Sequence, residues 1–149
     1  MPTAARLVAA VCVCVLSILL SRIVQDIYLR DVAPVNFGYF MWINAGLGAV
    51  IGWGPVGKRA KADLSAALSN GVTGVILLIG ICIFAHAFLD MMRRSLKNEY
   101  DTLFEAILAV FQIIAAWAPL LVDQGFIIVA GLGGCIVGIL SSYAARRWR

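Results

Sequence analysis

The sequence predicts an all-α, polytopic integral membrane protein that forms a single helical bundle over residues 1–149. Three observations support this prediction. The chain is 62% hydrophobic and 13% charged, and its mean hydropathy is +0.95. Soluble domains are about half apolar and roughly a quarter charged, so a soluble monomer of this composition would leave apolar faces in water. Several apolar stretches also approach the roughly 20 residues that a helix needs to cross a bilayer.

Four transmembrane helices are expected, at about residues 5–24, 37–54, 69–90 and 126–144. The first resembles the hydrophobic part of a signal peptide, but no small-residue cleavage site follows it, so we interpret it as an uncleaved span. The second is short for a span, which favours a tilted helix or a thin bilayer. It is expected to stop in the turn Gly54-Pro55-Val56-Gly57. The third is expected to begin near Asp63 as N-cap, and the turn Asp123-Gln124-Gly125 precedes the last.

Residues 101–122 are expected to form an amphipathic helix, which either lies in the membrane interface or crosses as a fifth span. A polar stripe supports the amphipathic assignment. If the helix spans, this stripe would face other helices, and Glu105 with Gln112 would be a candidate polar site for a proton or cation. The interfacial alternative is favoured. The stripe consists of Asp101, Glu105, Gln112, Ala116 and Pro119.

Charge placement predicts the topology. Cytoplasmic segments of membrane proteins carry an excess of Lys and Arg. With four spans and an interfacial fifth helix, the basic residues of the N-terminus, the central loop and the C-terminus would all lie on the same side of the membrane. Both termini are therefore expected in the cytoplasm. The residues that determine this topology are Arg6, Lys58, Arg59, Lys61, Arg146, Arg147 and Arg149.

Three predicted helices carry small residues or amides at i, i+4 and i+8. In lipid, helices associate through close backbone approach and interhelical hydrogen bonds. We expect the three faces to meet in one tight bundle, with the first helix outside them. The stripes are Asn44, Gly48 and Gly52; Ala66, Asn70 and Gly74; and Ala130, Gly134 and Gly138.

The side chains of the clear spans do not indicate catalysis. No charge falls at mid-depth, and no Walker loop, nucleophile elbow or paired-carboxylate arrangement is present in the sequence. His86, the single histidine, is expected at the interface, and the four cysteines are expected as small buried hydrophobes. We therefore predict a non-enzymatic protein without a cofactor or metal. The net charge of +4 comes from basic residues beside apolar segments, which indicates contact with membrane lipid rather than nucleic acid.

Five parts of the chain carry a resemblance to a known family. They are MPTAARLVAA, INAGLGAVIGW with VGKRA, SAALSNGVTG, the EYD…EA…AVF stretch and the closing AARRWR. Together they resemble the TrgA family of bacterial tellurite-resistance membrane proteins. The similarity covers nearly the whole chain in the same order. It implies a multi-pass inner-membrane protein linked to tellurite tolerance, and it carries over no catalytic residue. The positions it highlights are Asn44, Ser69, Asn70, Gly71, Thr73 and Gly74.

The expected function is a structural or accessory membrane component that acts through assembly, as a homo-oligomer or as a subunit of a membrane complex. The alternative is a small transporter or oligomeric channel for an anion or protons. Such a protein needs a polar path, and an anion path needs cations or helix N-termini at depth. The spacing of small residues favours assembly.

Overall fold

The computed structural model describes residues 3–31, 38–60, 63–97, 99–100 and 102–147, and this part of the chain is all-α. A π-helical turn, Gly52–Val56, continues the second helix directly. Within the described residues there is no strand. The prediction of an all-α polytopic membrane protein is confirmed. The helices are α1 (Thr3–Asp31), α2 (Phe40–Ile51), α3 (Leu64–Ser95), α4 (Leu103–Leu121) and α5 (Gln124–Arg147).

Four of these helices are long and apolar enough to cross a membrane: α1, α3, α4 and α5. The apolar helix Phe40–Val56, which combines α2 with the π-helical turn, is shorter. The number of candidate spans matches the predicted four, but the set differs. The sequence predicts that α2 crosses the membrane, and it allows α4 either to lie in the interface or to cross. Length and composition do not decide whether α2 or α4 crosses the membrane, so the identity of the crossing segments stays a prediction.

The first helix lies inside the bundle, and the expectation that it lies outside is wrong. It packs against α2 and α5. One side of α1 is a buried stripe at four-residue spacing, formed by Ala5, Ala9, Val13, Ser17 and Ser21. Alanine and serine permit close helix approach as glycine does. The opposite side of α1 is exposed and apolar, as expected of a face turned to lipid, and consists of Leu7, Val11, Val15 and Leu19.

The small residues of α2 pack against α1. A β-carbon at Gly48 would lie 2.9 Å from Cβ of Ser17, and one at Gly52 would lie 2.5 Å from the carbonyl oxygen of Ala9. Real β-carbons essentially never approach other atoms this closely. The two helices therefore touch through their backbones, and any side chain at these glycines would push them apart.

The third and last helices form a second backbone contact. A β-carbon at Gly71 would overlap the carbonyl oxygen of Gly134, and one at Gly138 would overlap that of Ala67. Gly74 faces the side chain of Val56 instead. The three predicted faces thus do not meet at one centre, because α1 separates α2 from α5. The stripe of α2 contacts α1, and the stripe of α5 contacts Ala67 and Gly71 of α3. Asn70 and Gly74 of the α3 stripe contact Val56 of the π-helical turn instead.

The turn predicted at residues 54–57 does not end the second helix. Helical conformation continues to Lys58, and the N–H of Gly57 donates to the carbonyl oxygen of Gly52, five residues back. Proline has no N–H and its ring clashes with the carbonyl four residues earlier in an α-helix. The wider π-helical spacing accommodates Pro55 without breaking the helix. Gly57 then lies against Arg6 of α1.

Side-chain caps define the starts of three helices. Asp63 accepts from the N–H of Ala66 at 3.2 Å, which confirms it as the N-cap of α3. Thr102 accepts from the N–H of Glu105 at 3.3 Å at the start of α4. Asp123 accepts from the N–H of Phe126 at 3.1 Å, so the predicted turn is the cap, and residues 124–125 already belong to α5.

Basic residues collect at one end of the bundle, which we call the basic end. Arg6 meets Gly57 there, close to the start of α1 and the end of the helix formed by α2 and the π-helical turn. Gly134 pairs with Gly71 and Gly138 with Ala67, so α5 runs antiparallel to α3 and ends near the start of α3. Lys61 and Arg149 lie outside the described residues. The basic end carries Arg6, Lys58, Arg59, Arg146 and Arg147.

Helices α4 and α5 pack on successive halves of α3 and scarcely touch each other. The 32 residues of α3 correspond to about 48 Å. The α4 side chains packed on this helix, such as Ala106 and Val110, form a cluster with Ala87 and Met91. The polar stripe faces away from the bundle, so it does not face the other helices of this chain. Its exposed members are Glu105, Gln112, Ala116 and Pro119, and Asp101 lies outside the described residues.

Candidate functional site

A cavity of about 540 Å³ opens between α1, α2, α3 and α4, with Phe126 of α5 among its lining residues. This volume lies within the range of ligand-binding pockets, roughly 300–1,000 Å³. Most of the lining is aliphatic or aromatic. The polar lining residues are Ser17, Ser21, Tyr28, Tyr39, Asn44, His86, Asp90, Arg93 and Arg94.

A buried polar cluster of Ser17, Ser21, Asn44 and His86 forms one wall and joins three helices. Nδ2 of Asn44 donates to Oγ of Ser21 at 2.9 Å, and Oδ1 of Asn44 lies 2.7 Å from Nε2 of His86. Oγ of Ser17 donates to the carbonyl oxygen of Asn44 at 2.7 Å. Asn44, Ser17 and Ser21 are each at most 5% exposed. One amide of α2 therefore bonds to α1 and α3 together.

The cluster has a fixed direction of hydrogen bonding. Oγ of Ser21 donates to the backbone carbonyl of Ser17 at 2.7 Å, and a carbonyl can only accept. Ser21 must therefore accept from the amide nitrogen of Asn44, which turns the amide oxygen toward His86. Nε2 of His86 must then carry the proton, because the amide oxygen is an acceptor. The imidazole is held in this one tautomer.

The second ring nitrogen of His86, Nδ1, has no hydrogen-bond partner among the described residues. The ring itself packs against Phe40, with ring centroids 4.3 Å apart. Nδ1 accepts a hydrogen bond when the imidazole is neutral and donates one when it is protonated. This cavity-lining residue thus keeps bonding capacity at Nδ1 that the described part of the chain does not use.

The charged residues of the cavity lie toward the C-terminal end of α3. Arg94 bonds Asp90 at 2.9 Å and 3.1 Å through two guanidinium nitrogens, which pairs these two charges. Arg93 makes no ion pair within the described part of the chain, and its charge acts on the His86 imidazole. Because helical side chains tilt toward the helix N-terminus, Arg93 leans toward His86. Among the described lining residues, Arg93 is therefore a positive charge without an ion pair.

The predicted site residues divide into four groups. Asn44 belongs to the cavity. Asn70 lies outside it, where its amide donates to the carbonyl oxygen of Val56 at 2.9 Å and ties α3 to the π-helical turn. The predicted glycines other than Gly74 form the two backbone contacts, while Glu105 and Gln112 are exposed on α4.

Sequence reasoning missed three members of the cluster. Ser17 and Ser21 are spaced by four residues within an apolar helix, and that spacing was the available signal. His86 was expected at the interface, whereas its ring is turned into the bundle against α2. Its partner lies 42 residues away, and no sequence pattern connects the two. Among the described residues, no group of three or more His, Cys, Asp or Glu could hold a metal ion.

The described lining of the cavity offers apolar walls, the charge of Arg93 and the imidazole nitrogen Nδ1 of His86. This combination can bind a ligand that has both a polar and an apolar part. Comparison with protein-family models, curated proteins and solved structures finds no match. The function must therefore be inferred from the geometry of this cavity and its polar cluster.

Proposed function

We propose that this protein is a structural or accessory component of the bacterial inner membrane that contributes to tellurite tolerance without catalysing a reaction. The link to tellurite comes from the resemblance of its segments to the TrgA family. The preference for an assembly role comes from the polar cluster, because Asn44 bonds three partners on two neighbouring helices.

The direction of hydrogen bonding in the cluster is the observation that carries this preference. The hydrogen bonds run from His86 through Asn44 and Ser21 and end on the carbonyl oxygen of Ser17. An acceptor-only group cannot pass a proton onward, so this direction of bonding favours a structural role over proton conduction. Interhelical hydrogen bonds of this kind stabilise membrane bundles by about 0.6 kcal/mol on average and up to roughly 1.7. We therefore interpret Asn44 as a residue that stabilises helix packing through hydrogen bonds.

We further propose that the basic end faces the cytoplasm and that both termini lie there. The positive-inside rule supports this orientation. The chain would cross four times, through α1, through α2 with its π-helical turn, through α3 and through α5. The packing of α4 and α5 on successive halves of α3 supports this count, because two separate spans joined by a tight turn would pack side by side.

A lipid-exposed bundle of this kind also needs a partner if it acts through assembly, and we propose a second copy or another membrane subunit. Purification in mild detergent followed by mass spectrometry tests this directly. A stable homo-oligomer or a recurrent membrane partner is the expected result. A strictly monomeric protein that still confers tolerance would contradict the assembly role.

A second candidate function is transport of a small anion, and one observation favours it. Arg93 supplies an unpaired cation to the cavity, and an anion path requires such a charge. Two single variants, Gly52→Leu and Arg93→Gln, distinguish the two functions when the tellurite tolerance of cells that carry each one is measured. The assembly role predicts that Gly52→Leu loses both the complex and tolerance, whereas Arg93→Gln keeps both.

The transport role predicts the opposite pattern for the charge variant. Arg93→Gln would then abolish tolerance at a normal protein level, while Lys97→Gln, which removes an exposed charge near the end of the same helix, would not. Tellurite tolerance of a strain that lacks the protein, complemented with each variant, is the measurement. A strain that is equally tolerant with and without the wild-type protein would contradict both functions.

A further inference from the structure

The cavity has a polar end and an apolar end. Along α3 it extends from Leu78 to Arg94, which corresponds to about 24 Å at a rise of about 1.5 Å per residue. Asp90, Arg93 and Arg94 line the end toward the C-terminus of α3, whereas Leu78 lies at the other. A hydrocarbon core is about 30 Å thick, so the cavity extends over a distance comparable with most of that thickness.

The charges of the polar end select for an anion. The carboxylate of Asp90 is paired with Arg94 at 2.9 Å, so the charge without an ion pair among the described lining residues is that of Arg93. His86, two turns earlier on the same helix, adds the nitrogen Nδ1, which donates a hydrogen bond when the imidazole is protonated. An anionic oxygen group between the two residues would accept charge-assisted hydrogen bonds from the Arg93 guanidinium and from the protonated imidazole, and such bonds are stronger than neutral ones.

The apolar lining selects for a ligand with more than a charged group. A bare oxyanion would leave the walls beyond His86 in contact with water, and burial of apolar surface is favourable. The residues of this inner part are Leu20, Ile79, Trp117, Leu120, Leu121 and Phe126.

We propose that the cavity binds one anionic amphiphile, with its oxygen head between Arg93 and His86 and its apolar chain extending toward Phe126. The head is a carboxylate, as in a free fatty acid, or a phosphate, as in a phospholipid. This inference does not rest on the link to tellurite, and it is tested by binding of an anionic amphiphile to the purified protein.

Quenching of tryptophan fluorescence tests the proposal, because Trp117 lines the inner part of the cavity. A variant that keeps Trp117 as its only tryptophan is purified in non-ionic detergent. It is titrated with a long-chain fatty acid brominated at the chain end, and with the alkyl phosphate and the alcohol of the same chain. Both anions are expected to quench saturably, and the alcohol about tenfold more weakly. The tighter anion identifies the source of the ligand.

Charge variants provide the matched comparison. Arg93→Gln is expected to weaken binding about tenfold or more, and Arg93→Lys to retain most of it because the charge remains. Lys97→Gln removes an equal charge near the end of the same helix and is expected to leave the affinity unchanged. Equal affinity of the Arg93→Gln and Lys97→Gln proteins, each with wild-type melting, would overturn the proposal. So would an alcohol that binds as tightly as the anions, or displacement of the probe by an equal concentration of inorganic phosphate.

Discussion

The contact between α1 and α2 at Gly52 predicts a large effect of a single methyl group. In Gly52→Ala the new β-carbon would lie 2.5 Å from the carbonyl oxygen of Ala9, whereas ordinary van der Waals contact begins at 3.4 Å. The helices would have to separate by about 0.9 Å, and a gap of roughly 0.5–1 Å already forfeits a quarter to a half of the dispersion energy of each contact. We expect destabilisation of about 2 kcal/mol, within the usual cost of overpacking.

Thermal unfolding in detergent, followed by size-exclusion chromatography, measures this effect. A loss of this size corresponds to a midpoint lowered by roughly 4–8 °C for a chain of this length. Gly46→Ala is the matched control, because it lies on the same helix and a β-carbon there meets nothing within 4 Å. It should be neutral or slightly stabilising, since alanine favours helices over glycine by about 0.8–1.0 kcal/mol. Equal midpoints for the two variants would refute the reasoning.

Three further predictions follow from the polar contacts and the basic end. Asn44→Leu removes the donor to Oγ of Ser21 and the acceptor for Nε2 of His86, and we expect a loss of about 1–2 kcal/mol in the same unfolding assay. Asp63→Ala removes the N-cap of α3 and should cost about 1 kcal/mol, whereas Asp63→Asn, which can still cap, should cost much less. Reporter fusions after Arg147 and at Lys58 should both report the cytoplasm.

Each of these predictions has a result that would contradict it. A protein with Asn44→Leu that melts with the wild type would show that the cluster contributes nothing to packing. An Asp63→Asn variant as unstable as Asp63→Ala would mean that charge, not capping, matters at this position. Fusions that report opposite sides would rule out a topology in which the basic end faces one compartment.

The sequence predicts the fold class and the helix faces that carry the glycines, because both depend on local patterns. Composition alone requires a lipid environment, and small residues at four-residue spacing mark a helix face wherever they occur. The pairing of those faces did not follow, because the stripe of Ala5, Ala9 and Ser17 on α1 contains no glycine and was not recognised as an interface. An interface made of alanine and serine is difficult to distinguish from an ordinary apolar helix.

The cavity could not be predicted from local patterns. It depends on the division of α3 between α4 and α5 and on a hydrogen bond between residues 42 positions apart. The sequence predicts that Asn44 forms an interhelical hydrogen bond, because an amide in an apolar helix requires a partner. The identity of that partner depends on the arrangement of three helices, which spacing within one helix does not specify.

The π-helical turn at Gly52–Val56 has a consequence for the alignment of α2 on α1. Residues 44, 48 and 52 face α1 at intervals of four, and the next residue to do so is Gly57, after an interval of five. The turn thus behaves as a one-residue insertion that the helix absorbs by widening. Deletion of the exposed Trp53, combined with Pro55→Ala to remove the ring that clashes in an α-helix, would restore the interval of four and convert the turn to an α-helix. Such a deletion would preserve the register of every contact with α1, whereas removal of one residue between Asn44 and Gly48 would displace all later contacts.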